Sequence, residues 1–394
     1  MSHKDQAARL GTLAIWAGEE GELWERATQV PVVHSVSFGY QDLDVWQAVA
    51  LGQEPGHIYG RNTNPTVAAF EEKVRQLEGA EAVTSFSTGM AAISNTLYTL
   101  LSPGDRVVSV KDTYGGTNLL FVEFLPRWQI EVELCDTTDH EAIEAAIAKG
   151  CRVLYLESPT NPTLKVVDLA RLAEAGHRAG ATVIVDNTFA TPINTNPLAL
   201  GADLVIHSAT KFLGGHADAL GGVVCGNKAL VEQIYHYREI NGATLHPMAA
   251  YLLLRGMKTL HLRIRQQNES ALTIARFLQA HPKVEKVFYP GLESHTHHAV
   301  AKKQMRGFGG VLSFMLKGGF DAVREVLPRL RYAHAAANLG SVETVAGPPA
   351  TTSHVECTPE ERAAMGIPES LIRYSVGIED TQDLIADLEQ ALEG

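Results

Sequence analysis

Between residues 71 and 224 the chain alternates short apolar runs with stretches of helical periodicity, and that alternation restricts its fold more than any other feature. Strands are predicted at 106–110, 130–134, 153–156, 183–185 and 204–206, each bounded by Gly, Pro, Asp or Asn. A helix is predicted over 168–179, between two of them. Apolar strands separated by helices are the pattern of a parallel sheet with crossover helices covering its faces. The 394 residues, 45% of them hydrophobic, exceed what one core usually holds, so two domains are expected. Residues 65–248 form the larger. After Met248 a long helical pattern runs to about residue 281, and strand-like VEKVFYP, GGVLSFML and LIRYSVG follow, which predicts a smaller α/β domain over 249–394. Residues 1–64 are irregular, with too little periodicity for a core of their own, and are read as an arm that packs on a neighbouring subunit.

A net charge of -12 argues against a nucleic-acid groove or an anionic membrane surface as partner, since both need clustered Lys and Arg. Cys135, Cys151, Cys225 and Cys357 are far apart and too few for a disulfide framework, which fits a reducing cytoplasm. No stretch approaches the ~20 apolar residues of a membrane span, and the opening residues lack the apolar core of a signal peptide. The expectation is a soluble, unprocessed, cytoplasmic protein.

Chemistry is expected at the C-terminal ends of the predicted strands, where an open parallel sheet places its ligand crevice. Ser87, Thr88, Gly89 and Met90 lead directly into a helical pattern and expose backbone N–H groups that suit a phosphate; taken alone, such a run is more often a plain cap. In VIVDNTF an apolar strand ends in Asp186, a carboxylate that needs a partner if buried, and a cationic ring nitrogen would serve. In HSATKFLGG another strand runs into Ser208, Thr210 and Lys211, then two glycines that allow close backbone approach. A lysine beside an anchored carboxylate is what a Schiff-base cofactor with a pyridinium nitrogen requires, although position alone would favour a surface lysine. Tyr114, beside Gly115 and Gly116, follows the 106–110 strand, where a planar ligand could meet its ring. His295, His297 and His298 lack an accompanying carboxylate or cysteine cluster, so no metal is expected. The glycines of MRGFGGVLSF lack the strand-then-helix order of a dinucleotide fingerprint and are read as a turn before a strand.

Seven blocks in order, YGRNTNPT from Tyr59, FSTGMAA from Phe86, TYGGT from Thr113, ESPTNP from Glu157, VDNTF from Val185, HSATKFLGGH from His207 and RYSVGIED from Arg373, resemble the Cys/Met-metabolism family of pyridoxal-phosphate enzymes. That family includes cystathionine γ-synthase, cystathionine γ-lyase, methionine γ-lyase and the O-acylhomoserine sulfhydrylases. The resemblance spans nearly the whole chain and implies the fold type I architecture, a large domain with a mainly parallel seven-stranded sheet beside a smaller α/β domain. It implies that Lys211 holds the aldehyde of pyridoxal 5'-phosphate and shuttles protons, and that Asp186 pairs with the ring nitrogen. Gly89, Met90, Ser208 and Thr210 would bind the phosphate, with Tyr59 and Arg61 reaching it from the partner's arm. Tyr114 would stack on the ring and exchange protons, Asn161 would approach the ring hydroxyl, and Arg373 would clamp the substrate carboxylate, with Asn338 and Tyr59 also near substrate. The active unit implied is a dimer at least, commonly a tetramer.

The activity implied is γ-elimination or γ-replacement on a γ-substituted homoserine-type amino acid. Within the family the sequence divides its signals. Gly116 stands where methionine γ-lyases usually carry cysteine. Ala337, before Asn338, Leu339 and Gly340, replaces the glutamate frequent in cystathionine-processing members, and the Asn-Leu-Gly form is closer to the sulfhydrylase branch. HADALGG departs from the more usual Ser-Asp at Ala217 and Asp218, a change to which no substrate attaches. Alternatives are a γ-lyase for an oxygen-linked amino acid such as canavanine, an O-acylhomoserine sulfhydrylase, and a non-catalytic module that merely binds the cofactor.

Overall fold

Unbroken apolar runs form the middle of a seven-stranded sheet in the computed structural model, which describes residues 8–19, 27–355, 358–364 and 366–394. Its strands are β1 (Ala82–Phe86), β2 (Arg106–Val110), β3 (Glu131–Cys135), β4 (Val153–Glu157), β5 (Thr182–Asp186), β6 (Leu204–Ser208) and β7 (Gly222–Gly226). They lie in the order β1-β7-β6-β5-β4-β2-β3. From β3 to β6 the neighbours are parallel, and β7 runs antiparallel to both β6 and β1. Side-chain alternation explains why the central strands are apolar throughout. Val153 and Tyr155 of β4 pack with Phe121, Ile184 and Ile206 on one face. Leu154 and Leu156 pack with Ile143, Leu172 and Val185 on the other. The five predicted strands are present, the second shifted by one residue; β1 and β7 escape prediction because their runs are short and set among Gly, Ser and Thr.

The second sheet holds β8 (Val284–Phe288), β9 (Val311–Leu316), β10 (His334–Ala335), β11 (Val345–Gly347) and β12 (Leu371–Ser375), in the order β10-β11-β12-β9-β8. Only β10 and β11 pair in parallel. The long helical pattern after Met248 corrects to two helices, Pro247–Met257 and Leu260–Ala280. At the break the buried Arg263 guanidinium donates to the carbonyls of Gly256, Phe212 and Leu213. It thus ties the helix junction to the segment just after Lys211. A Cβ on Gly256 would come within 2.0 Å of the Gly214 carbonyl oxygen, so only glycine lets the first helix press on that segment.

The 1–64 region contains two short helices that its weak periodicity did not reveal, α1 (Leu10–Trp16) and α2 (Leu43–Ala50). Ala14 of α1 is fully buried in the large core. Lys73, on α3 (Pro65–Glu78), is also fully buried; its ammonium donates to the Ala14 and Ile15 carbonyls and to Glu19. These bonds satisfy the charge and dock the arm's first helix. Cys135, Cys151 and Cys225 are buried free thiols, while Cys357 lies outside the described residues. No helix among the described residues is long and apolar enough to cross a membrane.

The start of α4 (Gly89–Leu100) is fixed by contact with β7: a Cβ on Gly222 would lie 2.1 Å from the Thr88 carbonyl oxygen. Backbone cannot yield as a flexible side chain can, so Gly222→Ala is expected to cost about 1–3 kcal/mol through overpacking. Thermal unfolding of purified protein checks this; an unchanged midpoint would contradict it.

Candidate active site

Parallel β4, β5 and β6 end side by side, and their last residues, Glu157, Asp186 and Ser208, open onto one cavity of about 260 Å³. Gly89, Met90, Tyr114, Asn161, Asp186, Ser208, Thr210, Lys211 and Arg373 line it together. Thr188, Phe189, Leu220, Ala337, Leu339, Thr352 and Ser353 complete much of the wall.

One corner of the cavity is built for an anion. Thr88 caps α4, its hydroxyl accepting from the Ala91 N–H at 3.0 Å, so Gly89 and Met90 contribute the helix-end N–H donors that precede the first internal bonds. A Cβ on Gly89 would meet the Ser208 Cβ at 2.8 Å, which shows how closely the helix start lies on the Ser208 hydroxyl. The Thr210 hydroxyl is already engaged, donating to the Gly221 carbonyl and accepting from the Gly221 N–H.

Asp186, on the neighbouring strand end, is 7% exposed. One of its oxygens accepts from the Thr188 N–H and hydroxyl, and the other accepts from the Tyr155 hydroxyl at 3.3 Å. Burial pushes its carboxyl above the usual range, against the pull of these donors. Its strand neighbour Glu157, 4% exposed, is pushed up further by burial and by Asp186 itself. Two adjacent buried carboxylates call for a cation between them and the cavity.

On the third side Lys211 donates to the Asn338 side-chain oxygen at 2.8 Å. Burial, and secondarily the positive charge of Arg373, lower its ammonium pKa to about 8. Arg373, on β12, is 6% exposed, and burial brings its guanidinium down to about 10. It donates to the Asn161 side chain at 2.9 Å and to the Asn338 carbonyl at 3.1 Å. The Asn161 side chain therefore holds Arg373, and Asn338 touches Lys211 without lining the cavity. An anion corner, a buried carboxylate and a lysine of lowered pKa around one cavity form a donor set that fits pyridoxal phosphate.

Two predicted residues stand apart from this space. Tyr59 is 42% exposed with the Arg61 guanidinium over its ring at 5.6 Å, and Arg61 donates to the Glu239 carbonyl. Neither lines the cavity. The histidines are dispersed too: His295 bonds the Leu164 carbonyl, His298 bonds the Pro290 carbonyl and His297 stacks on His140. Glu157, Thr188 and Tyr155 were missed as site residues. Glu157 closes a fully apolar strand just as Asp186 does, and the same reasoning would have found it.

The family model described as "Cys/Met metabolism PLP-dependent enzyme" matches residues 11–393. An L-methionine gamma-lyase of Fusobacterium nucleatum subsp. polymorphum is 45% identical over 98% of both chains. A cystathionine gamma-lyase of Bacillus subtilis is 43% identical over 97% of this chain and 98% of its own. Among solved structures, the cystathionine gamma synthase of Xanthomonas oryzae pv. oryzae in complex with cystathionine superposes with a TM-score of 0.92 at 37% identity, covering 98% of each chain.

With Lys211 titrating at about 8, capture of pyridoxal phosphate by the apoenzyme should speed up about tenfold for each unit that the pH rises toward that value and level off above it. Stopped-flow absorbance from pH 6 to pH 9 reads the rate; a flat profile would refute the neutral-amine requirement.

Proposed function

The chain belongs to the Cys/Met metabolism family of PLP-dependent enzymes, with its fold type I architecture, and from that premise we propose that it acts on a homoserine-type L-amino acid with a small, uncharged γ-substituent. Its reaction class is pyridoxal-phosphate-dependent γ-elimination or γ-replacement. The observation that carries the substrate reading is that Lys211 and the buried Arg373 line one cavity side by side, with Asn338 touching both. An α-carboxylate on Arg373 brings the substrate's Cα to the Lys211 amine.

Gly89, Met90, Ser208 and Thr210 would hold the phosphate, Asp186 the ring nitrogen, and Tyr114 would stack on the ring, with Asn161 at its hydroxyl side. When bound, the cofactor supplies an electron sink that acidifies the protons at Cα and then Cβ. Arg373 fixes the carboxylate through its planar fork, which sets which Cα bond faces Lys211. Lys211, neutral in about half of molecules near pH 8, takes the Cα proton and redelivers it. Tyr114, 43% exposed and in the cavity lining, would donate a proton to the departing γ-group. Much of the remaining wall is apolar or neutral: Phe189, Leu220, Ala337 and Leu339, with Thr352 and Ser353. With no carboxylate at Ala337, a distal ammonium such as that of cystathionine finds no partner in that wall.

A side chain at 116 would enter the contact between Tyr114 and Met90, since a Cβ there lies 2.9 Å from the Tyr114 ring and 3.0 Å from the Met90 sulfur. Gly116 distinguishes this chain from the cysteine-bearing pattern, yet the 45% identity to a methionine γ-lyase keeps methionine among the substrates to assay. An oxygen-linked substrate such as canavanine gains no support from these relatives.

The organisation proposed is an arm over 1–64, a cofactor-binding domain over 65–248 and a C-terminal domain over 249–394. The seven-stranded sheet within 82–226 and the five-stranded sheet within 284–375 support it. The assembly proposed is a cytoplasmic homodimer or homotetramer in which Tyr59 and Arg61 complete the partner's phosphate site. Their absence from the lining of their own cavity and the exposure of Leu43, Trp46 and Tyr59 along the arm support that reading.

Incubating holoenzyme with methionine, cystathionine, O-acetylhomoserine or O-succinylhomoserine tests the function. 2-Oxobutanoate released without added thiol identifies elimination, and thioether formed only with thiol identifies replacement; neither product from any substrate would sink the proposal, and turnover of cystathionine or O-succinylhomoserine in preference to methionine and O-acetylhomoserine would overturn the small, uncharged substituent. Lys211→Ala should abolish turnover and the visible cofactor band. Arg373→Lys should raise KM by about 100-fold, as expected when a buried charge-assisted pair worth a few kcal/mol is lost.

A further inference from the structure

Glu157 has no part in the chemistry above, yet it touches the backbone of two residues that do. Its carboxyl is buried at the end of β4 and lines the cavity. One oxygen accepts from the Tyr114 N–H at 2.8 Å, and the other accepts from the Asn161 N–H at 3.0 Å. These donors belong to different segments: Tyr114 follows β2, one neighbour of β4, and Asn161 lies in the loop leaving β4 itself. Beyond Asn161 the bonds continue to Arg373, from Arg373 to Asn338, and from Asn338 to Lys211. A single carboxyl thus stands where the Tyr114 turn and the Asn161–Arg373–Asn338–Lys211 chain meet.

We infer that Glu157 is a positioning residue that clasps the Tyr114 turn to the Asn161 loop, so that the aromatic face and the carboxylate-binding arginine keep one fixed separation across the cavity. The inference rests on the reading of this cavity as the site of cofactor and amino acid. Strand pairing on both sides of β4 already secures its backbone, which leaves the side chain free for this role. The clasp needs two acceptors on one planar group. Glutamine is its isostere but offers one acceptor and one donor, so Glu157→Gln must release either Tyr114 or Asn161.

L-Norvaline has no leaving group on its γ-carbon, so it reports binding independently of which γ-substituent the enzyme cleaves. Its dissociation constant is read from the change in the visible spectrum of the holoenzyme, and the ring's setting is read from visible circular dichroism. In Glu157→Gln the cofactor should remain bound while the dichroism band loses half or more of its amplitude. The dissociation constant should rise about 10- to 100-fold, as a shift of about 1 Å in a positioning contact can produce. Because the effect passes partly through Asn161, Glu157→Gln should weaken binding far less in an Asn161→Ala background than in the wild type. Glu157→Asp keeps a carboxylate but is one methylene short; it should move both readouts in the same direction by a smaller factor, and it serves if the glutamine variant does not fold. Unchanged dichroism and binding in either variant, or losses that simply multiply with Asn161→Ala, would overturn the clasp. No spectral response of the wild type to L-norvaline would overturn the substrate reading instead.

Discussion

The site depends on one consequence of parallel pairing: β4 and β5 end in register, which sets the carboxyls of Glu157 and Asp186 beside each other where water is scarce. Neither can be left bare there, since an unpaired buried charge costs several kcal/mol. The structure answers with different donors for each. Asp186 receives the Thr188 N–H and hydroxyl and the Tyr155 hydroxyl. Glu157 receives the N–H groups of Tyr114 and Asn161. Both carboxyls stay raised in spite of those bonds, because burial outweighs them. The cavity is therefore electrostatically unfinished on its carboxylate side, and a cationic ring nitrogen would suit it.

The same low-dielectric setting acts in the opposite sense on the basic side. Burial favours the neutral amine of Lys211, and Arg373 adds a like charge that favours it further. A lysine of ordinary pKa would be almost wholly protonated at neutral pH and useless as a nucleophile or base. Arg373 itself remains charged even at its lowered value, since about 10 is still far above neutrality. It belongs to the second sheet, and its bond to Asn161 ties that sheet to the first while its bond to the Asn338 carbonyl steadies the partner of Lys211. Arg263 repeats the device deeper in the core, with the carbonyls that follow Lys211 as its acceptors. Two buried guanidiniums thus hold the lysine segment against both the C-terminal sheet and the long helices.

Much of this was legible in the chain. Apolar runs such as VLYL and VIV locate central strands because both faces are buried, and polar residues at their ends are exposed to the crevice by geometry alone. Asp186, Lys211 and the Thr88–Gly89 helix start follow from that rule. β1 and β7 were not legible, since residues such as Thr84, Ser85 and Gly222 carry no strand signal and become strand only by pairing with an existing sheet edge. The break at Lys258–Thr259 was also hidden, because the apolar periodicity continues across it while a buried arginine takes up the carbonyl of Gly256.

The sequence by itself determined the fold class, the family, the cofactor and which strand ends face the crevice, because periodicity and ordered motifs are local properties of the chain. Tertiary structure alone decided how Asn161, Asn338 and Arg373 bond to one another and that Glu157 bridges two segments. Apart from the local bond of Glu157 to Asn161, those contacts join residues 35 to 212 positions apart, and their geometry is set by the register of one sheet and the seating of a second against it, which no local pattern encodes.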